Sequence, residues 1–291
     1  MVIIGLTISQ LLPAQEKNIN DSILQLLDHD IKDTPIRQMK QLDVSEEEVV
    51  KMVDSWPAFS VFKDTYFVTG VPLNRKINRN SADALFQISI RHRITRSRLP
   101  LNTFLYLTYT QKSFWNIYAK SSPFLDNNYN PCLGLGRYII QNGKLKGTAF
   151  LQLEHESNGK DSIESRSWNM LSMSVKYFFN PRVIFAGKAW IPYVDGDENS
   201  DLLDYRGFFT ASLDYISGDQ KWWLTAEINP RKGFGNMNTT VTAAFRTTKN
   251  ANQYFYARLF NGMGENLLDY DRYSFNLRVG FCIKPSIRGA F

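Results

Sequence analysis

Residues 274–283 read S-F-N-L-R-V-G-F-C-I, so Phe275, Leu277, Val279, Phe281 and Ile283 alternate with Ser274, Asn276, Arg278 and Gly280. In a β-strand residues i and i+2 share a face, and this stretch therefore carries one continuous apolar face and one polar or small face. The same period runs through Phe86, Ile88 and Ile90, through Leu105, Leu107 and Tyr109, through Phe209, Ala211, Leu213 and Tyr215, and through Val241, Ala243 and Phe245. Working outward from these runs predicts twelve strands, near 63–72, 83–95, 101–115, 131–142, 145–157, 168–180, 182–193, 206–217, 220–230, 238–248, 251–261 and 272–284. Each is about the ten residues that a tilted membrane-crossing strand requires.

The connections alternate in length. Short turns such as QNGK, NP and SGDQ take turns with longer loops at 116–130, 158–167, 194–205 and 262–271. Short turns at one end and long loops at the other mark a transmembrane barrel, whereas a soluble sandwich has no reason to produce them. Twenty Phe, fourteen Tyr and six Trp supply the aromatic belts of such a barrel. The expected fold is all-β: a twelve-stranded antiparallel transmembrane β-barrel over 63–291, preceded by a polar N-terminal extension. A soluble lipocalin-like barrel with its apolar faces inward is the competing architecture.

Residues 1–14 end an apolar segment in Leu12-Pro13-Ala14 and read as the remnant of a secretory signal peptide. Residues 15–62 are polar with weak helical character and read as an extension on the periplasmic side. The net charge of +6 comes from scattered Lys and Arg and not from a basic block, which argues for anionic lipid surfaces and against nucleic acid. Cys132 and Cys282 fit no metal spacing.

Residues 154–169, E-H-E-S-N-G-K-D-S-I-E-S-R-S-W-N, carry the candidate chemistry. On the strand 145–157, His155 and Ser157 continue the face of Ala149, Leu151 and Leu153. A hairpin centred on Ser162 sets Asn169 opposite His155, because the two are equidistant from the turn. Directly opposed residues have Cβ atoms about 4.5–5.5 Å apart, within reach of a hydrogen bond. Ser157 can attack a carbonyl, His155 can take and return its proton, and Asn169 can fix the imidazole tautomer.

At these residues the sequence resembles the outer membrane phospholipase A family of Gram-negative bacteria. The resemblance rests on H-x-S-N-G-K…S-R-S-W-N (His155 to Asn169), T-Q-K-S-F-W (Thr110 to Trp115), S-S-P-F (Ser121 to Phe124), N-Y-N-P (Asn128 to Pro131) and G-x-G-E-N-L-L-D-Y (Gly262 to Tyr270). It implies a calcium-dependent phospholipase with phospholipase A1, phospholipase A2 and lysophospholipase activity, activated by homodimerisation. The implied roles are nucleophile for Ser157, general base and acid for His155, and orienting residue for Asn169. The implied Ca2+ ligands are the Lys160 carbonyl, the Ser165 hydroxyl and the Ser121 carbonyl of the partner subunit; the family usually has arginine at the position of Lys160. Gln111, on the apolar face after Tyr109, matches a glutamine that bonds across the dimer interface. The implied location is the bacterial outer membrane, with the active site at the outer leaflet. A barrel that keeps the motif without catalysis, and a calcium-independent esterase, are the alternatives.

Overall fold

The structure is a computed structural model that describes residues 45–193, 197–248 and 251–285. The expected leader, 1–14, and most of the extension lie outside these residues. The described chain opens with helix α1 (Glu46–Asp54). Ser45 and Glu48 form a reciprocal capping box, and three glutamates occupy the positive N-terminal turn. Val49 and Val53, four residues apart, are its buried side.

Thirteen strands follow: β1 (Phe59–Val61), β2 (Thr65–Pro72), β3 (Asp83–Arg93), β4 (Thr103–Trp115), β5 (Phe124–Gln141), β6 (Lys144–Ser157), β7 (Ser167–Asn180), β8 (Val183–Tyr193), β9 (Phe209–Ile216), β10 (Trp222–Pro230), β11 (Met237–Phe245), β12 (Gln253–Gly262) and β13 (Ser274–Ile283). Neighbours pair antiparallel in chain order from β2 to β13. The sheet closes because β13 pairs with β2, in register Phe281↔Phe67 and Val279↔Thr69. The short β1 lies on the same side of β3 as β2, so it extends β2 past an irregular step at Phe62–Asp64 and adds no thirteenth stave. The barrel is therefore twelve-stranded, as the periodicity predicted.

One boundary differs. The loop expected at 116–130 is only 116–123 long, because β5 begins at Phe124 and runs 18 residues. The added segment alternates Asp126, Asn128 and Asn130 on one face, which reads as loop in sequence. Inside a polar lumen those side chains have partners: Asp126 accepts from the backbone of Leu267 and Leu268, and Asn128 from that of Leu267.

Burial runs opposite to that of a water-soluble protein. Leu153 (63% exposed), Met173 (66%), Ile191 (72%) and Phe281 (63%) stand on the outer surface, whereas Arg278, Asp126, Gln152, Ser172 and Ser89 are buried within. A continuous apolar belt of this kind far exceeds the patches a soluble monomer leaves in water. In hydrocarbon it is favourable, and strand closure leaves no unpaired edge. This inversion removes the lipocalin-like alternative.

At the end carrying the long loops, residues 263–273 turn into the lumen. Glu265 pairs there with Arg258 and Arg278, and Arg278 also holds Asp83 through two 2.7 Å bonds. A second loop contributes helix α2 (Leu202–Arg206), whose Leu202 packs with Leu267, Tyr270, Trp168 and Met170 in an apolar cluster. Two of those residues, Trp168 and Met170, are the inward-facing neighbours of Asn169. The candidate site therefore rests on a packed floor.

Candidate active site

His155 and Ser157 end β6, and Asn169 begins β7. Their strands pair as His155↔Asn169 and Ser157↔Ser167. His155 Nδ1 lies 2.9 Å from Asn169 Oδ1. With Asn169 Oδ1 as acceptor, Nδ1 carries the ring proton and Nε2 is left with its lone pair, the arrangement a general base needs. Ser157 is brought to the same face by strand alternation alone. All three are half-buried, at the long-loop end of the stripe formed by Leu151 and Leu153.

The neighbouring strand explains part of this placement. Continuing the register of Cys132↔Glu154 puts Pro131 beside His155, and proline has no N–H to donate to the ladder. Asn130 Nδ2 replaces it, donating to the His155 carbonyl at 2.9 Å. The tetrad N-Y-N-P thus interrupts the ladder and repairs it next to the imidazole. On the lumen side, Glu156 sits between the two candidate residues in sequence. Its carboxylate accepts from Trp168 Nε1 at 2.9 Å and meets Arg206 at 3.4 Å, which ties β6, β7 and α2 together.

The loop after Ser157 turns on Asn158, which is buried. Its side-chain oxygen accepts from the backbone of Lys160 and Arg166, and its amide donates to the Glu164 carbonyl at 2.7 Å. Gly159 has φ +66, and a Cβ there would meet the Tyr129 ring at 2.9 Å, so both conformation and space select glycine. Lys160 and Ser165, five residues apart, both lie in this loop. Lys160 Nζ is 3.0 Å from Glu164, an i,i+4 pair across the same loop.

Among the described residues no three His, Cys, Asp or Glu side chains gather into a metal-binding group. The oxygens on offer are main-chain and hydroxyl, a donor set that fits a hard cation but falls short of the six to eight ligands calcium takes. Ser121 lies exposed in loop 116–123. Gln111, on the outer face of β4 between Ile88 and Tyr129, accepts from the Tyr109 hydroxyl at 3.1 Å and donates to Ser113 at 3.1 Å. One donor and one acceptor site of its amide are thus used within its own strand. Cys132 and Cys282 are both buried and unpaired. An open apolar groove on the outer face includes Leu107, Leu133, Leu153, Leu171 and Ile191 together with His155 and Asn169.

Sequence reading found His155, Ser157 and Asn169 but not Asn130, Asn158 or Glu156. Asn158 had a visible signal, since an N-G pair directly after a strand marks a turn with specific backbone needs. Glu156 had one as well, since the hairpin symmetry that opposes His155 to Asn169 also opposes Glu156 to Trp168, whereas Asn130 stood in the N-Y-N-P tetrad without a role, because its partner lies on a neighbouring strand.

Comparison with known proteins assigns the family. The phospholipase A1 family model matches residues 63–283, most of the chain. The chain belongs to the phospholipase A1 family. A phospholipase A1 of Proteus vulgaris is 31% identical over 199 residues, 67% of each chain, and that of Escherichia coli K12 is 29% identical over 209 residues, 70% of each. The outer membrane phospholipase A structure from Escherichia coli shares the fold at a TM-score of 0.70 and 24% identity, covering 81% of this chain and 97% of its own. A Salmonella typhi outer membrane phospholipase dimer with bound calcium matches at TM-score 0.70 and 25% identity, covering 81% and 96%. As a member of the phospholipase A1 family the chain is an enzyme, a phospholipase. The matched range begins after α1 and β1, which stand outside it.

Proposed function

We propose that this chain hydrolyses acyl esters of phospholipids and lysophospholipids in the bacterial outer membrane, through an acyl-enzyme on Ser157, with calcium and a second copy of the chain completing the site. The observation that carries this reading is the His155–Asn169 hydrogen bond on the lipid-facing surface, two residues from Ser157. A polar trio at the end of an apolar stripe is costly unless it is used. An ester bond lies at that depth of a bilayer, just below the headgroup.

In this reading His155 Nε2 accepts the Ser157 proton as Oγ bonds to the acyl carbonyl carbon. The Ser157 backbone N–H helps to hold the oxyanion. His155 then returns the proton to the departing lysophospholipid oxygen, and a water activated by the same imidazole releases the fatty acid. Asn169 keeps the imidazole in the tautomer with Nε2 free but, being neutral, adds no charge. The apolar groove beside His155 takes the acyl chain. Calcium, held by the Lys160 carbonyl, the Ser165 hydroxyl and the Ser121 carbonyl of the partner subunit, would supply positive charge near the developing oxyanion. Two ligands from one chain leave the cation shell incomplete, which favours a dimer-dependent enzyme. With the long loops outward, the site faces the outer leaflet.

The test is fatty-acid release from phospholipid in mixed micelles by the detergent-refolded chain. Release should need calcium, should stop with excess chelator and should be absent in Ser157→Ala. Release that survives chelation would leave the serine hydrolase and remove the cation. No release from a calcium-loaded, cross-linked dimer would favour a barrel that keeps the motif without catalysis.

A further inference from the structure

We infer that the short-turn end of the barrel carries a second lipid site, in which Arg96, Arg98 and Arg137 hold the phosphate of a phospholipid in the adjoining leaflet. The inference rests on the barrel spanning a membrane and is independent of the roles of His155, Ser157 and Asn169. The three arginines line one cleft with Glu46, Asn102 and Tyr138. One wall of that cleft is α1, which lies outside the range matched by the family model.

The cleft is built on fixed supports. Arg93, inside the barrel, donates to the carbonyls of Val53 (3.0 Å), Asp54 (2.7 Å) and Trp56 (3.1 Å), which pins the C-terminus of α1 to β3. Asp54 in turn accepts from the Ser97 backbone and hydroxyl, both at 2.9 Å. Ser97 is buried by this tie, and Arg96 and Arg98 stand exposed on either side of it. Their backbones close on each other, Arg98 N donating to Arg96 O at 2.7 Å.

Charge counting leaves this cleft positive. Asp54 is engaged by Arg93 at 3.3 Å and Glu47 by Lys51 at 3.0 Å. Among the described residues no carboxylate pairs with Arg96, Arg98 or Arg137, and Glu46 is the one lining carboxylate without a cationic partner. Three guanidiniums, each a planar fork of donors, suit an anion with several oxygens to accept from them, as a phosphate has.

The position selects a lipid phosphate over a dissolved one. Arg137 directly continues the outer-face stripe of Leu133 and Leu135 on β5, and Leu135 pairs with Leu105 on β4. A phosphate held by Arg137 therefore sits where acyl chains can run along that apolar surface. The arginine marks the headgroup level of the leaflet opposite the one facing His155.

The test uses the full chain in a zwitterionic detergent with an ether-linked phosphatidylglycerol, which carries the phosphate but no ester to cleave. Native mass spectrometry should show one retained lipid per chain, no retention of the matching dialkylglycerol, and persistence of the lipid under excess inorganic phosphate. The triple variant R96Q/R98Q/R137Q should bind the lipid about tenfold more weakly or worse, whereas the triple lysine variant should recover part of the affinity. Should the glutamine triple fail to fold, judged by its gel mobility before heating, the single Arg137→Gln variant should still lose lipid. Equal retention by the glutamine triple or Arg137→Gln, or equal retention of dialkylglycerol, would overturn the site. Displacement by inorganic phosphate would overturn its assignment to a lipid.

Discussion

At the residue scale, the site turns on one neutral hydrogen bond. In the proposed mechanism Asn169 orients His155 through its amide oxygen, 2.9 Å from Nδ1, and lends no charge, so its removal would cost orientation alone. A neutral hydrogen bond is worth about 0.5–1.5 kcal/mol. Asn169→Ala should therefore lower kcat by roughly tenfold, and Asn169→Asp, which keeps the acceptor, should retain more activity than alanine. A steady-state assay under calcium saturation checks both. Loss equal to that of Ser157→Ala would assign Asn169 more than an orienting role. His155 and Asn169 were legible in sequence because strand period and hairpin symmetry fix which residues oppose each other. Asn130 was not, since its use depends on the ladder gap left by Pro131 on a neighbouring strand.

At the scale of elements, the loop 158–166 is organised from within. Asn158 makes its side-chain bonds to Lys160, Arg166 and Glu164, so the oxygens that would face calcium are set by a residue that does not bind it. Asn158→Ala should raise the calcium concentration needed for half-maximal fatty-acid release several-fold, while the barrel's unfolding midpoint in urea stays near that of the parent. An unchanged calcium requirement would show that the loop keeps its shape without Asn158. The strand boundaries tell a related story. Eleven strands fell near their expected places because alternation is a local signal. The start of β5 was missed because Asp126 and Asn128 look like loop residues until the loop 263–273 arrives to bond them.

At the scale of the whole molecule, the lumen near the closing seam is held by a buried charge cluster. Burial acts to raise the Glu265 carboxyl, but Arg278 and Arg258 outweigh it and hold it well below its ordinary value. A carboxyl lowered in the folded state stabilises it above the unfolded value of about 4.3, and that contribution fades as pH falls below this toward the folded value. The parent barrel should therefore lose stability on acidification below about pH 4.3. Glu265→Gln leaves the buried Arg258 guanidinium without its carboxylate partner, while Arg278 keeps Asp83, and should cost about 3 kcal/mol or more at neutral pH, with a flatter decline below pH 4.3. Urea unfolding at a series of pH values reads both effects. Parallel pH profiles for the two proteins would remove Glu265 from the acid response.

The sequence by itself determined the strand period, the alternation of short and long connections, and the opposition of His155 to Asn169. All three follow from backbone geometry that repeats every two residues and needs no distant partner. It also offered Ser157 as nucleophile, through a motif confined to one hairpin. Tertiary structure alone decided which way the alternating faces point, since an apolar stripe is equally at home in a core and in lipid until the sheet closes around a polar lumen. It alone joined Arg278 to Asp83 across the closing seam, and Arg206 to Glu156, because these charges lie far apart in the chain and meet only once the barrel has closed. It alone set α1 beside Arg96, Arg98 and Arg137, through a buried Arg93 whose partners lie some forty residues away in the chain.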